Sequence, residues 1–460
     1  MSIQAANREM GGDTSNGAQP LLEKKDTVPF EESFWTTRVF EKQVSISTED
    51  EDESGTVWTS AISIAATCIG VGLFALPFAF ATAGVGFAIF LLAFFTFVSF
   101  FMSYLLLVCC KWTRTYSYEE VMVSAFGRCG ALLVEAAVIL LLVGAMTSIL
   151  AVAGDSFASM AKLVGMTNSS SSRTLLIIAD LVLVALPLSW MQNSSSLAVT
   201  NAIAVCCTVL VGMMLMVRGF ANSSWKTSLL EQPTFRFEAT TFKAVPIIMF
   251  SLGCQVQVPC VYGALHGREI RTMTHALAGA GGWCFSLYTG VAVFGILAAS
   301  AVRGDHFPIP GNILESFHHH DRLALSMRVI MSCAVTLVYP MLCLPCRSTL
   351  DHLVFGGGER HRRDSWKSQV RHGVETLTIL GTTLFFSALE HDLATVFGLT
   401  GATAGALICY VLPPVCFLQL RWKQPASVRG ETYLMAILCV LSLTFILPLT
   451  AVIVRQEFQT

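Results

Sequence analysis

A helix that crosses a hydrocarbon core about 30 Å thick needs roughly 20 consecutive, mostly apolar residues. Eleven runs of this sequence come near or pass that length: Trp58–Phe80, Gly86–Cys109, Ala131–Lys162, Arg173–Trp190, Leu197–Arg218, Phe242–Tyr262, Ala276–Ala301, Leu323–Cys346, Gly373–Leu389, Leu393–Leu418 and Tyr433–Val454. The ninth is the shortest. The expected fold class is an all-α polytopic membrane protein with eleven transmembrane helices, because only helices and closed barrels satisfy every backbone group in lipid.

Composition agrees. Hydrophobic residues make up 54% of the chain and charged residues 13%, with a mean hydropathy of +0.63, whereas soluble domains carry about 25% charge. Residues 1–57 differ: they are polar, contain the acidic cluster Glu49-Asp50-Glu51-Asp52-Glu53, and hold too few apolar residues to bury a core. A disordered cytoplasmic tail is expected there rather than a cleaved secretory signal.

Orientation follows from Lys and Arg, which are retained on the cytoplasmic side. With the N-terminus inside, 19 of the 29 basic residues fall in the tail or in inside loops, six of them (Arg347, Arg360, Arg362, Arg363, Lys367, Arg371) between the eighth and ninth runs. Asn168 and Asn222 begin N-x-S triplets in loops this topology places outside, and Asn193 begins one in an inside loop.

Several functions are excluded. The net charge of −2 and the lack of a basic face interleaved with aromatics argue against nucleic acid. No G-x-S-x-G, H-E-x-x-H or Walker pattern occurs, so no enzyme is expected. Cys343-Leu344-Pro345-Cys346 follows a membrane run rather than a βαβ unit, and Cys68, Cys109, Cys110, Cys206 and Cys207 read as packing residues. His318-His319-His320-Asp321 reads as a solvated turn, so no metal and no cofactor are assigned.

Chemistry is expected where backbone regularity fails. The first run contains Gly70-Val71-Gly72-Leu73-Phe74-Ala75-Leu76-Pro77 near mid-membrane. A break near Gly70 would free N–H groups for a substrate carboxylate and carbonyls for a cation, against the plainer alternative of close helix packing by small residues. The sixth run places Pro246, Gly253, Gln255, Gln257 and Pro259 in an otherwise apolar helix. Interrupted helices at corresponding positions of two five-helix halves point to a transporter site between inverted repeats, here residues 58–218 and 242–418, with 433–454 as an addition.

Those residues also carry a resemblance. Gly70 to Ala79 through Gly84, Gly144-Ala145-Met146-Thr147-Ser148, Leu186-Pro187-Leu188-Ser189 with Ser196-Leu197, Phe250-Ser251 through Cys254 to Tyr262, Tyr339-Pro340 through Arg347, and Val396-Phe397-Gly398-Leu399-Thr400-Gly401-Ala402-Thr403 follow in order and spacing. Together they resemble the amino acid/auxin permease family of the APC superfamily, over roughly residues 55 to 455. The resemblance implies a LeuT-type 5+5 inverted repeat plus one extra helix. It also implies an amino acid substrate contacted, largely through backbone, by Thr67, Cys68, Ile69, Gly70, Val71, Gly72, Phe250, Ser251, Gly253 and Cys254.

In the family's sodium-coupled members an Asn stands four residues before the first glycine; this chain has Ala66 there, while Thr336 keeps the family's pattern in the eighth helix. Proton coupling or uniport is therefore ranked ahead of sodium. Glu135 and Asp180 are the acidic residues nearest apolar helix interiors, where an ionisable group is a functional hypothesis by default. Glu135 could instead snorkel to the cytoplasmic interface, and Asp180 could serve packing with a polar neighbour. The expected function is secondary active amino acid transport, with an amino-acid-sensing receptor as the rival, and the plasma membrane is expected ahead of a vacuolar or lysosomal one.

Overall fold

The computed structural model describes residues 56–163, 170–190, 194–221, 232–236, 239–303, 309–318, 320–355, 366–389 and 392–457. Most of the tail and Asn168, Asn193 and Asn222 lie outside them, as does His319 of the histidine turn.

The first run folds as two helices. Helix α1 (Val57–Cys68) starts at a reciprocal cap, in which the Thr56 hydroxyl accepts from the Thr59 amide at 3.3 Å and the Thr59 hydroxyl accepts from the Thr56 amide at 2.8 Å. It stops at Ile69, whose extended backbone cannot continue the helix. A short 3₁₀ turn (Val71–Phe74) leads into α2 (Leu76–Ala83), with Pro77 in its first turn, where a missing N–H is harmless.

Gly84 turns the chain into α3 (Val85–Thr113). Its φ of +88° and the backbone of Phe235, 2.9 Å from where a Cβ would lie, leave glycine as the residue that fits. The segment 232–236 crosses this corner and takes two of its free amides, with Val85 N–H donating to Pro233 O and Phe87 N–H to Thr234 O, each at 3.0 Å.

Helices α4 (Tyr118–Phe126) and α5 (Arg128–Leu163) follow. The fourth run is α6 (Ser170–Asp180), a π turn (Leu181–Ala185) and α7 (Leu186–Trp190); the fifth is α8 (Ser194–Phe220). The sixth is again split, into α9 (Ala244–Ser251) and α10 (Val258–Ala264). Helices α11 (Ile270–Arg303), α12 (Arg322–Phe355), α13 (Trp366–Leu389) and α14 (Leu393–Thr400) come next. Two π turns (Gly401–Gly405, Leu407–Val411), α15 (Leu412–Trp422), α16 (Ala426–Glu431) and α17 (Tyr433–Glu457) complete the order.

Among the described residues, eight helices are long and apolar enough to cross a membrane, and the α1–α2 pair, bent by 60°, makes a ninth. The expectation of eleven exceeds this count at two places. Helices α9 and α10 have 8 and 7 residues and are too short singly, and α13 opens on a polar stretch with Arg371, His372 and Glu375.

Packing sorts the helices. Helix α12 lies chiefly on α5 and α8, while α11 lies on α8, α1, α3 and α2. The stretch 393–422 and α12 are the most enclosed spans, with 72% and 67% of their apolar windows buried, against 17% for α17. Leu183, Val217, Leu434 and Leu441 lie more than half exposed on outer helices. Water would penalise so much apolar surface; acyl chains do not.

One surface tie has a measurable signature. Asp321 caps α12 by accepting from the Leu323 and Ala324 amides at 3.0 and 3.2 Å, and it pairs with Arg218 of α8. The Arg218 hydrogen bond, then the backbone amides, hold its carboxyl below the usual carboxylate range. A depressed carboxylate stabilises the fold above its unfolded pKa of about 3.9 and loses that contribution as pH falls through the lower folded value. Asp321→Asn should therefore lower the melting temperature at neutral pH and leave it unchanged at pH values below the folded pKa. Equal losses at both would remove the charge from the explanation.

Candidate functional site

The carbonyls of a helix's last turn lack intrahelical partners and carry its negative dipole end. In this fold two such ends meet, because α1 stops at Cys68 and α9 at Ser251. Between them stands Tyr288 of α11, a fully buried residue whose hydroxyl lies 2.6 Å from Cys68 O and 2.9 Å from Ser251 O.

The two breaks face one another. A Cβ built at Gly72 would stand 2.7 Å from Ser251 Oγ, so the first break approaches the end of α9 as closely as glycine allows. Gly70 differs: its φ of −142° suits any residue, and a Cβ there would meet nothing within 4 Å among the described residues. Gly70, Val71 and Gly72 supply N–H groups at the start of a new helical turn, the kind that precedes intrahelical pairing.

The second break is braced from α3. Ser99 Oγ donates to Leu252 O at 3.1 Å and accepts from Gln255 Nε2 at 2.9 Å, while Gln255 Oε1 accepts from the Cys254 amide at 3.0 Å. This brace is buried and neutral, so an interrupted helix is held open without a charge. A small cavity beside it is lined by Cys68, Ser99, Ser103, Leu252, Cys254 and Cys284.

The opposite wall is packed. The Phe250 ring lies 4.8 Å from that of Phe397, centre to centre, and a Cβ at Gly253 would come within 3.3 Å of Cys409 Sγ. Helix α14 and its π turn press on α5 and α9 at two glycines: a Cβ would meet Thr400 Oγ1 at 2.3 Å from Gly144 and Pro246 O at 2.3 Å from Gly401.

Of the ten residues expected at the site, Cys68, Gly72, Ser251 and Cys254 converge on this junction, Gly70 opens the first break beside it, Gly253 faces the packed wall, and Ile69 is the buried cap of α1. Val71 begins the 3₁₀ turn and Phe250 meets the packed wall. Thr67 is exposed, and its hydroxyl is turned back to Ser63 O at 2.9 Å. Tyr288 and Ser99 were not singled out, because a tyrosine and a serine in apolar runs look like packing residues. Gln255 did stand out as polar, and its role is now visible.

The three ion-coupling candidates form two groups on α5, α6 and α12. Thr336 donates to both Asp180 oxygens, at 3.1 and 3.2 Å, where α6 passes into its π turn. Glu135 is buried, with Oε1 2.8 Å from His352 Nδ1 and Oε2 enclosed without a hydrogen-bond partner among the described residues. Of the five cysteines read as packing residues, Cys206 alone is exposed.

Ties lie on both sides along the chain path. Arg173 of α6 holds Asp155 of α5 through Nη2 at 3.0 Å and Nε at 3.1 Å, and donates to Ala151 O and Ser387 O. Arg268, after α10, stacks 4.5 Å from the Tyr116 ring centre, and Tyr262 OH donates to Arg268 O at 2.6 Å.

Comparison with known sequences decides the family. The family described as transmembrane amino acid transporter protein matches residues 53–455, nearly all of the chain beyond the tail. The chain belongs to that family.

Curated relatives of the chain include solute carrier family 38 member 10 of Rattus norvegicus, 25% identical over 80% of this chain and 34% of that protein. A putative sodium-coupled neutral amino acid transporter 11 of Danio rerio is 24% identical over 87% of each chain. The chain spans about a third of the length of the first of these and most of the second. Among solved structures, MhsT in complex with L-phenylalanine aligns with a TM-score of 0.55 at 13% identity, over 86% of this chain and 97% of that one. That likeness concerns the fold alone, an all-helical membrane arrangement.

Proposed function

We propose that the chain is a secondary active amino acid transporter working by alternating access, with an eleven-helix, 5+5 inverted-repeat membrane domain and an extra C-terminal helix. One observation carries this reading: two interrupted helices whose carbonyl ends meet at Tyr288, with the first break's amides beside them. A zwitterion suits such a junction, because amides at a helix start favour its carboxylate and carbonyls at a helix end keep a second lone pair, beside the Tyr288 hydrogen bond, for its ammonium. Gly70 to Gly72 would meet the carboxylate, while Ser251, Gly253 and Cys254 would form the facing wall. The plasma membrane is the proposed location.

The proposed coupling ion is the proton, with uniport as the limiting case. Glu135 supports this reading as an enclosed carboxyl 2.8 Å from the His352 ring, two ionisable side chains brought together within the helix bundle, where such groups mark proton paths. Sodium coupling draws support from the printed name of the Danio rerio relative. Against it, Ala66 offers no side-chain oxygen and Thr336 is committed to Asp180.

Exchange tests transport itself. Proteoliposomes preloaded with unlabelled amino acid should accumulate the labelled one from outside; specific binding without exchange would instead favour a receptor that signals from the same pocket. Glu135→Gln, which keeps the shape and replaces the acid by an amide, should leave exchange within about 2-fold while accumulation driven by a proton gradient falls to equilibration. A two-unit pH gradient offers about 2.7 kcal/mol per proton, so the loss is large. Full proton-driven accumulation by this variant would take Glu135 out of the coupling path.

A further inference from the structure

We infer that the Tyr288 hydroxyl is a built-in substitute for a cation at the junction of the two broken helices. This deepens the proposed function at the same site, whose geometry it takes as given. The argument starts from electrostatics. Each helix end carries about half a negative charge, and α1 and α9 bring two of them onto one point, at Cys68 O and Ser251 O. Left alone, two converging carbonyls repel and go unsatisfied in a buried place, which costs free energy.

Two remedies exist. A small cation can lie between the oxygens, as hard ions do among backbone carbonyls, or a donor can be fixed there. Tyr288 is that donor: it is anchored in α11, fully buried, and its oxygen lies at hydrogen-bond distance from both carbonyls. A phenol has one proton, so it serves one carbonyl strongly at any instant, and the two helix ends share it. The shared proton ties α1 to α9 without occupying the amide side of the first break, where Gly70 faces open space.

Tyr288 is a positioning residue, since it touches helix ends rather than substrate. A purely structural role would lower stability on mutation but would not create a response to a particular ion. The test is thermal unfolding of the purified full chain in detergent, in sodium chloride against choline chloride at equal ionic strength and without substrate. Wild-type protein should melt at the same temperature in both salts. Tyr288→Phe, which keeps the ring but lacks the proton, should melt lower and stay indifferent to sodium, because the ring still fills the space. Tyr288→Ala should melt lower in choline and regain about 3 °C or more in sodium, as an ion that binds the folded state stabilises it.

A wild-type melting temperature raised by sodium would overturn the inference, and so would a Tyr288→Ala protein with no sodium response. Should Tyr288→Ala not fold, the wild-type and Tyr288→Phe arms still decide it. Neither result bears on exchange, so the transport reading stands or falls separately.

Discussion

Replacing Gly70 by valine should cut amino acid uptake by about 100-fold or more, equivalent to about 2.8 kcal/mol, while the melting temperature and membrane insertion stay near wild type. The fold tolerates the change for two reasons. The backbone at Gly70 is extended with φ −142°, which a β-branched residue adopts readily, and a Cβ there meets nothing within 4 Å. The same open space is where a substrate carboxylate would approach the freed amides, so the valine methyls compete directly with substrate. Gly253→Val is the poorer probe. Its Cβ would press on Phe250 O at 3.2 Å and Cys409 Sγ at 3.3 Å, so lost uptake there would mix a blocked site with a strained wall. Normal transport by Gly70→Val would remove the first break from the substrate path.

Removing Arg173 should have the largest effect on stability. Arg173 and Asp155 are each 9% exposed in their side chains, and the guanidinium also donates to Ala151 O and Ser387 O, so one residue joins α5, α6 and α13. Arg173→Ala leaves the buried Asp155 carboxyl without its cation, held only by the Asn312 and Glu315 side chains, a loss of about 3 kcal/mol. The double variant Arg173→Met with Asp155→Asn should recover most of that, because no charge is then stranded. Thermal melts of the single and double variants read this directly. A single variant that melts like wild type would mean that Asp155 finds another donor or takes up a proton.

Much of the fold was legible because the bilayer reduces prediction to a question of length and polarity. The run Leu323–Cys346 needs no partner to be read as a helix, and α12 covers it from Arg322 to Phe355. The break at Gly70 was legible for a related reason, since two glycines and a proline in one apolar run have few uses in a continuous helix. The interruption between Ser251 and Val258 was announced by Gly253, Gln255 and Pro259 in the same way.

What the pattern could not reveal is contact between distant runs. Glu135 and Asp180 stood out as charges in apolar surroundings, but their partners His352 and Thr336 lie on α12 and become neighbours only through its packing on α5 and its contact with the π turn after Asp180. Tyr288 is the sharpest case. Its function depends on where two other helices end, and nothing within Ser286-Leu287-Tyr288-Thr289 distinguishes it from a core aromatic. The three π turns were likewise invisible; Gly401–Gly405 lies where α14 presses on Pro246, and wide turns of this kind often mark functional segments.

The most direct test of the account is uptake of radiolabelled neutral, cationic and acidic amino acids into proteoliposomes of the purified chain, with an inward proton gradient, an inward sodium gradient or neither. The account predicts accumulation above equilibration for at least one class under the proton gradient, no further gain from sodium, and its loss in Gly70→Val. Absence of uptake and exchange for every class, from protein that binds an amino acid and melts cooperatively, would contradict it.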